Sequence, residues 1–356
     1  MSTRRVLTVV GCHAEGEIGD VITGGILPPP GATMMDKKIA FERDQDHIRR
    51  LLICEPRGSV ARHVNVLLPS TRSDCVAGAI IMEPTEYPAM SGSNTMCIAT
   101  VMLETGIVDM VEPETRFQLD MPGGPVEIVA QCRDGKCVSV TLRNVPAFAF
   151  ALDAPLEVDG LGTIAIDIAY GGMIYAIVDA AALGFRITAD EARDLAVLGE
   201  RIRAAAREQH DVVHPEHPEI SGVSIVQFAG PLRPTDSPDR VIARNTCIVS
   251  PGRSDRSPTG TGTTARMAAL HARGRLAVGQ GLTHESLIDS QFHGTIVGTS
   301  SVAGPDGIVT PAIHATIQGR AWITGLHQYF VDATDPWPAG YVLSDTWGTS
   351  TITSQG

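Results

Sequence analysis

Apolar positions along this chain recur at two spacings, and each predicts a different element. Residues 4–12 (RRVLTVVGC), 136–145 (KCVSVTLRNV) and 163–180 (TIAIDIAYGGMIYAIVDA) concentrate Val, Ile and Thr between turn residues, the pattern of strands. Asp134-Gly135, between Cys132 and Cys137, predicts a tight hairpin. Helical spacing is clearest over 188–209, with Asp190 and Glu191 near its start. A second amphipathic helix is predicted over 35–58, ending near Glu55 because Pro56 follows. The Gly/Pro-rich stretches 26–32 and 229–238 read as connections. No regular βαβ alternation and no short repeat is present, so the mixture is α+β.

Two further segments resemble each other. Ser91-Gly92-Ser93-Asn94-Thr95 and Thr259-Gly260-Thr261-Gly262-Thr263 match hydroxyl to hydroxyl at three positions and glycine to glycine at the second. Thr259 lies 168 residues after Ser91 (259 − 91), and Gly274 lies as far after Gly106. Each segment therefore reads as a hydroxyl turn, about three turns of helix and a terminating glycine. The shared length points to a duplicated half-molecule. A helix N-terminus carries unpaired N–H groups and partial positive charge, which suits a carboxylate, and glycine lets the backbone approach closely. Two such termini facing one another would hold one carboxylate and offer Ser91 and Thr259 to opposite faces of one carbon. Plain N-capping is the competing use of each turn taken alone; the matched pair favours the anion site.

Length and charge narrow the class. A chain of 356 residues exceeds a comfortable single core and favours two domains. The net charge of −12 argues against a nucleic-acid partner, and no apolar run reaches membrane-spanning length. The first residues read as a strand and not as a signal peptide, so a cytoplasmic location is expected. The seven cysteines form no CxxC pair; neither a zinc site nor another metal centre is expected, and most cysteines read as small buried apolar residues. His13, His214, His217 and His293 are irregularly spaced and read as structural or surface residues and not as catalytic ones.

No GxSxG elbow surrounds Ser91, and no GxxxxGK[ST] loop is present. The segment 255–276, DRSPTGTGTTARMAALHARGRL, instead resembles the second catalytic segment of the proline racemase family, DRSPCGTGTSA. Residues 90–106, MSGSNTMCIATVMLETG, are similar to its first segment, and 13–25, 55–58 and 284–294 fit its opening, early loop and late strand. The resemblance implies a diaminopimelate-epimerase-like fold: two pseudo-symmetric α/β halves, each a sheet curled around a central helix. The expected halves are 1–160, with about 335–356 packing back on it, and 161–334.

The family's racemases and epimerases use two acid–base residues, usually cysteines, where Ser91 and Thr259 stand here. Members with threonine at the second position resemble trans-3-hydroxy-L-proline dehydratases, which need one base. The resemblance therefore implies dehydration of trans-3-hydroxy-L-proline to Δ1-pyrroline-2-carboxylate, without metal or organic cofactor. Ser91 is then the proton acceptor, and Thr259 serves the 3-hydroxyl. Gly92 and Ser93, with Gly260 and Thr261, supply donors to the carboxylate. Asp255 holds the ring ammonium, or else merely forms the turn before Ser257-Pro258. Ser93 replaces a family histidine, which leaves support of the leaving group open. The alternatives are a 4-hydroxyproline 2-epimerase or proline racemase, and a non-catalytic imino-acid-binding protein. The expected partner is a small imino acid; monomer or homodimer stays open.

Overall fold

The structure, a computed structural model, describes residues 5–304, 307–332 and 334–348. The chain forms two units, one taking residues up to Leu142 and from Gly319 onward, the other Arg143–Gln318. In the first unit β1 (Arg5–Ala14) and β2 (Glu17–Gly24) precede α1 (Met34–Ile53). Then come β3 (Arg62–Leu68), β4 (Ala77–Met82), α2 (Gly92–Glu104), β5 (Glu114–Met121), β6 (Gly124–Arg133) and β7 (Lys136–Arg143). The second unit begins with β8 (Phe148–Val158), β9 (Gly162–Tyr170), β10 (Ile174–Asp179), α3 (Ala192–Gln209) and β11 (Ile225–Ala229). It continues with β12 (Arg233–Pro234), β13 (Arg240–Val249), β14 (Arg253–Ser254), α4 (Gly260–Ala272), β15 (Gly281–Glu285), β16 (Gln291–Ala303) and β17 (Val309–Gly319). The chain then returns to the first unit as β18 (Ala321–Val331) and the short α5 (Ser344–Trp347).

The two units share one pairing pattern. In the first, neighbours run β18-β1-β2-β3-β4-β5-β6-β7, with steps antiparallel, antiparallel, parallel, antiparallel, parallel, antiparallel, antiparallel. In the second, β8-β9-β10-β11-β13-β15-β16-β17 repeats those steps in the same order. Both parallel steps need a crossover; α1 and α3 supply the first, α2 and α4 the second. The central helices α2 and α4 have 13 residues each and keep the offset of 168 (260 − 92).

The unit boundaries differ from the 1–160 and 161–334 division. Strand pairing is the reason: β8 bonds β9 in the second unit, and β18 bonds β1 in the first. Within 335–348, Asp335 pairs with Arg57 at 2.7 Å, Tyr341 bridges Glu55, and Trp347 is buried among α1 and its strands. Residues 349–356 of that segment lie outside the described residues.

The local signals explain the element ends. Thr33 and Asp36 form a reciprocal capping box at the start of α1. That helix ends at Ile53 and not Glu55, because Cys54 is already extended ahead of Pro56. The predicted helix 188–209 divides into a 3₁₀ turn, Ala189–Glu191, and α3, with Thr188 and Glu191 closing a second box. Its buried Leu195, Leu198, Ile202 and Ala206 follow one helical face. Asp134 and Gly135 both take positive φ (55° and 69°) in the two-residue turn between β6 and β7.

Alternation along strands divides each sheet into two faces. On β10, Ala176 and Val178 pack with α3, whereas Tyr175 and Ile177 pack with Ala265 and Ala269 of α4. Residues 92–103 of α2 and 260–270 of α4 are buried throughout, as expected for a helix wrapped by strands. Accordingly α2 packs on β1, β2, β3 and β18, and α4 on β8, β9, β10, β15 and β16. Two glycines permit this approach. A Cβ on Gly19 of β2 would lie 2.8 Å from Asn94 Oδ1 and 2.9 Å from Cys97 Sγ; one on Gly171 would lie 2.2 Å from the Thr261 carbonyl oxygen.

Burial also fixes a charge state. His284, on β15, is fully buried; desolvation first, then the nearby Arg266 guanidinium, hold its imidazole well below the usual histidine range. It is neutral in the fold and takes a proton only on unfolding, so stability falls as pH drops through the unfolded value of 6.5. Moving from pH 7.5 to 5.5 should therefore cost about 1.4 kcal/mol through His284 alone. His284→Gln keeps an acceptor for Arg266 but cannot titrate. Urea unfolding at both pH values should show a pH loss smaller by that amount in the variant; equal losses would refute the assignment.

Candidate active site

In the first unit, Ser91 is half-buried at the N-cap of α2 with extended backbone (φ −147°), and its side chain does not cap the helix. Instead its Oγ accepts a hydrogen bond from Asn94 Nδ2 at 3.0 Å. The same amide nitrogen lies 3.2 Å from His63 Nδ1 on β3, and Asn94 Oδ1 accepts from Asn65 Nδ2 at 3.0 Å. Glu17 and Glu83, both buried, stand 3.5 Å from His63 Nε2 and Nδ1 respectively. Ser91, Gly92 and Ser93 are thus gathered at one uncapped helix terminus. The two asparagine amides and the histidine behind it were not visible as a group in the sequence. Asn94 could have been found from its position three residues after Ser91, on the same helix face. His63 and Asn65 reach it only through the β2–β3 parallel pairing.

In the second unit, Thr259 is the N-cap of α4 and sits at φ 63°, ψ 110°. For a β-branched residue this is a strained conformation, costing on the order of 1–3 kcal/mol. Its Oγ1 donates to Asp255 Oδ2 at 2.6 Å, buried on both sides. Such a bond to a charged group contributes about 1.5–3 kcal/mol, enough to offset the strain. Asp255 Oδ1 accepts from the backbone N–H and hydroxyl of Ser257, at 2.8 and 3.0 Å. Asp255 therefore fills the turn-forming role while accepting from Thr259.

Behind α4, Arg266 Nη1 donates to His284 Nε2 at 3.0 Å, so His284 carries its proton on Nδ1 and donates to Thr263 Oγ1 at 2.8 Å. Thr263 Oγ1 in turn donates to the Thr259 carbonyl at 2.9 Å, matching Thr95 Oγ1 on the Ser91 carbonyl at 2.7 Å. Arg266 also bonds the Gly230 carbonyl, and burial lowers its guanidinium to about 10. Tyr175 OH holds Thr261 Oγ1 at 2.6 Å. Neither N-cap side chain, Ser91 or Thr259, caps its own helix, so the N–H groups at both helix starts suit an anion.

Two cavities lie away from the helix starts. One of about 780 Å³ in the second unit follows the later turns of α4 at Arg266, Ala269, Leu270 and Arg273. One of about 570 Å³ in the first unit is lined by Cys12, His13, Asp20, Arg62, His327 and Tyr329. The chemistry of the helix starts, and not the size of a hollow, marks the candidate site.

Sequence similarity shows the family to which this duplicated α+β chain belongs. The family model described as proline racemase matches residues 9–342, and the chain belongs to that family. A hydroxyproline epimerase from Agrobacterium vitis, solved with bound trans-4-OH-L-proline, is 41% identical over 99% of this chain and 100% of its own, with TM-score 0.89. A probable proline racemase from Agrobacterium radiobacter K84, solved with bound carbonate, is 40% identical over 96% of this chain and 98% of its own, with TM-score 0.87. A phenazine biosynthesis protein from Bacillus anthracis, 12% identical over 91% of this chain and 99% of its own, shares the fold alone at TM-score 0.54. The fold is the diaminopimelate-epimerase-like one, and the chain is an enzyme of the proline racemase family.

All seven cysteines are free and buried. Burial pushes the Cys97 thiol well above its ordinary range and the Cys247 thiol up to about 12, so neither is a thiolate at neutral pH. Activity should survive prolonged iodoacetamide treatment. Rapid, substrate-protectable inactivation would relocate the chemistry to a cysteine, Cys97 first.

Proposed function

We propose that this protein dehydrates trans-3-hydroxy-L-proline to Δ1-pyrroline-2-carboxylate. One observation carries the reading: the two hydroxyls sit in opposite hydrogen-bond settings. Ser91 Oγ receives a donor, Asn94, at an uncapped helix N-terminus, and both features favour an alkoxide. Thr259 Oγ1 gives its proton to a carboxylate, Asp255, whose charge opposes a second negative charge beside it. One hydroxyl is suited to accept a proton from carbon and the other is not, which fits chemistry needing one base. Ser91 removes the Cα proton, its electrons form the Cα–C3 double bond, and the 3-hydroxyl leaves after protonation as water. The enamine then tautomerises to the cyclic imine. Gly92, Ser93, Gly260 and Thr261 provide backbone donors for the carboxylate, and Asp255 takes the ring ammonium while holding Thr259.

A second reading is 2-epimerisation of 4-hydroxyproline. It is favoured by the 41% identical epimerase with bound trans-4-OH-L-proline. The 2.6 Å bond to Asp255 also gives Thr259 a route to pass on a proton.

Incubation with each hydroxyproline isomer separates the readings. Pyrroline from the 3-hydroxy isomer supports dehydration, inversion of the 4-hydroxy isomer at comparable rate supports epimerisation, and binding without turnover defeats both. Ser91→Ala should lower kcat by roughly 10²–10⁴-fold while leaving substrate affinity largely intact; a variant retaining most activity would remove Ser91 as the base. Asp255→Asn should weaken binding by about 2–5 kcal/mol, read by calorimetry. Unchanged affinity would move the ammonium site elsewhere. Thr259→Cys places an acidic thiol at a helix N-terminus and should begin to epimerise the 4-hydroxy isomer.

A further inference from the structure

The orientation of every polar group behind Ser91 can be worked out from one fixed end. The Asp20 carbonyl can only accept, so Asn65 Nδ2, 3.2 Å away, donates to it. That same nitrogen donates to Asn94 at 3.0 Å, which makes the facing Asn94 atom Oδ1. The Asn94 amino group is therefore turned toward both Ser91 Oγ and His63 Nδ1. Its two hydrogens are divided between them. His63 Nδ1 must then be an acceptor, and the imidazole keeps its proton on Nε2, the nitrogen facing Glu17. Glu83, on the Nδ1 side at 3.5 Å, cannot take a proton from a nitrogen that carries none.

We propose that His63 is a positioning residue for Ser91: as the neutral Nε2–H tautomer it holds the Asn94 amide with a hydrogen directed at the serine oxygen. Were Nδ1 protonated, two donors would oppose each other across 3.2 Å, and the amide would be driven from Ser91. His63, Asn65 and Asn94 are shielded from water, so no solvent competes for the bonds among them, while the Ser91 end is half-buried. Glu17 Oε1, at the start of β2, stands 3.5 Å from Nε2. Gly19, two residues on, is what lets Asn94 come this close to the strand. At the second helix the position equivalent to Asn94 is Gly262 (94 + 168), so Thr259 has no counterpart of this amide. The device belongs to Ser91 and not to Thr259.

The inference rests on Ser91 as the proton acceptor, and two side-chain swaps test it. Asparagine can place an oxygen where Nδ1 stands, whereas glutamine reaches only the Nε2 position. His63→Gln should lower kcat about 10- to 100-fold with KM nearly unchanged, as expected when a catalytic donor is misaligned. His63→Asn should recover much of that loss. The rate to follow is release to solvent of deuterium placed at Cα of the substrate, using whichever hydroxyproline isomer the unaltered protein turns over. The experiment therefore reads His63 in the same way whether the protein dehydrates or epimerises. Nitrogen-15 NMR of histidine-labelled protein supplies a readout independent of substrate and of variant folding: His63 should show a protonated Nε2 and a bare Nδ1. A protonated Nδ1, a His63→Gln variant with normal kcat, or a His63→Asn variant no better than His63→Gln would each overturn the proposal.

Discussion

Two helices buried along almost their whole length impose the main constraint on this fold. A helix wrapped by strands cannot turn its ends to bulk water, yet its first N–H groups have no partners within the helix. Leaving a buried donor unpaired costs about 1–3 kcal/mol. In α2 and α4 the N-cap side chain, the usual remedy, is used otherwise: Ser91 accepts from Asn94, and Thr259 donates to Asp255. Within each unit the sheet, its crossovers and a close glycine surround the central helix and shield most of its polar start. There, a carboxylate is the natural complement.

Duplication supplied two equal frames, and small differences at the helix starts made them unequal. The threonines one turn inside, Thr95 and Thr263, make the same bond to the N-cap carbonyl. The groups that meet the two N-cap hydroxyls differ: Asn94, backed by His63, donates to Ser91 in the first unit, and Asp255 accepts from Thr259 in the second. One hydroxyl is consequently an acceptor of hydrogen bonds and the other a donor into a carboxylate.

The halves of the molecule were legible because the repeated elements are local. The hydroxyl turn, helix length and terminal glycine all lie within about seventeen residues, and the resemblance of 255–276 to a catalytic segment named the fold. The unit boundaries were not legible, because they depend on β18 joining β1 across more than three hundred residues of chain. Nor was the polarity of the two hydroxyls. Ser91 and Thr259 look alike as letters, and only the positions of Asn94 and Asp255 distinguish an acceptor from a donor. Asp255 shows the same limit: spacing allowed both a turn former and a ligand, and the fold fills the first role before any ligand arrives.

The return of the chain to its first unit has a consequence for biosynthesis. All strands of the second unit are contiguous between Phe148 and Gly319, so that unit can close as soon as it leaves the ribosome. The first unit cannot: one flank of β1 waits for a strand translated after the whole of the second unit. Until then Leu7 and Val9 stand beside an open edge, a template for mispairing with another nascent chain. The half synthesised first is therefore the half completed last. Cells producing this protein should depend on chaperone protection of the amino-terminal segment more than of the rest.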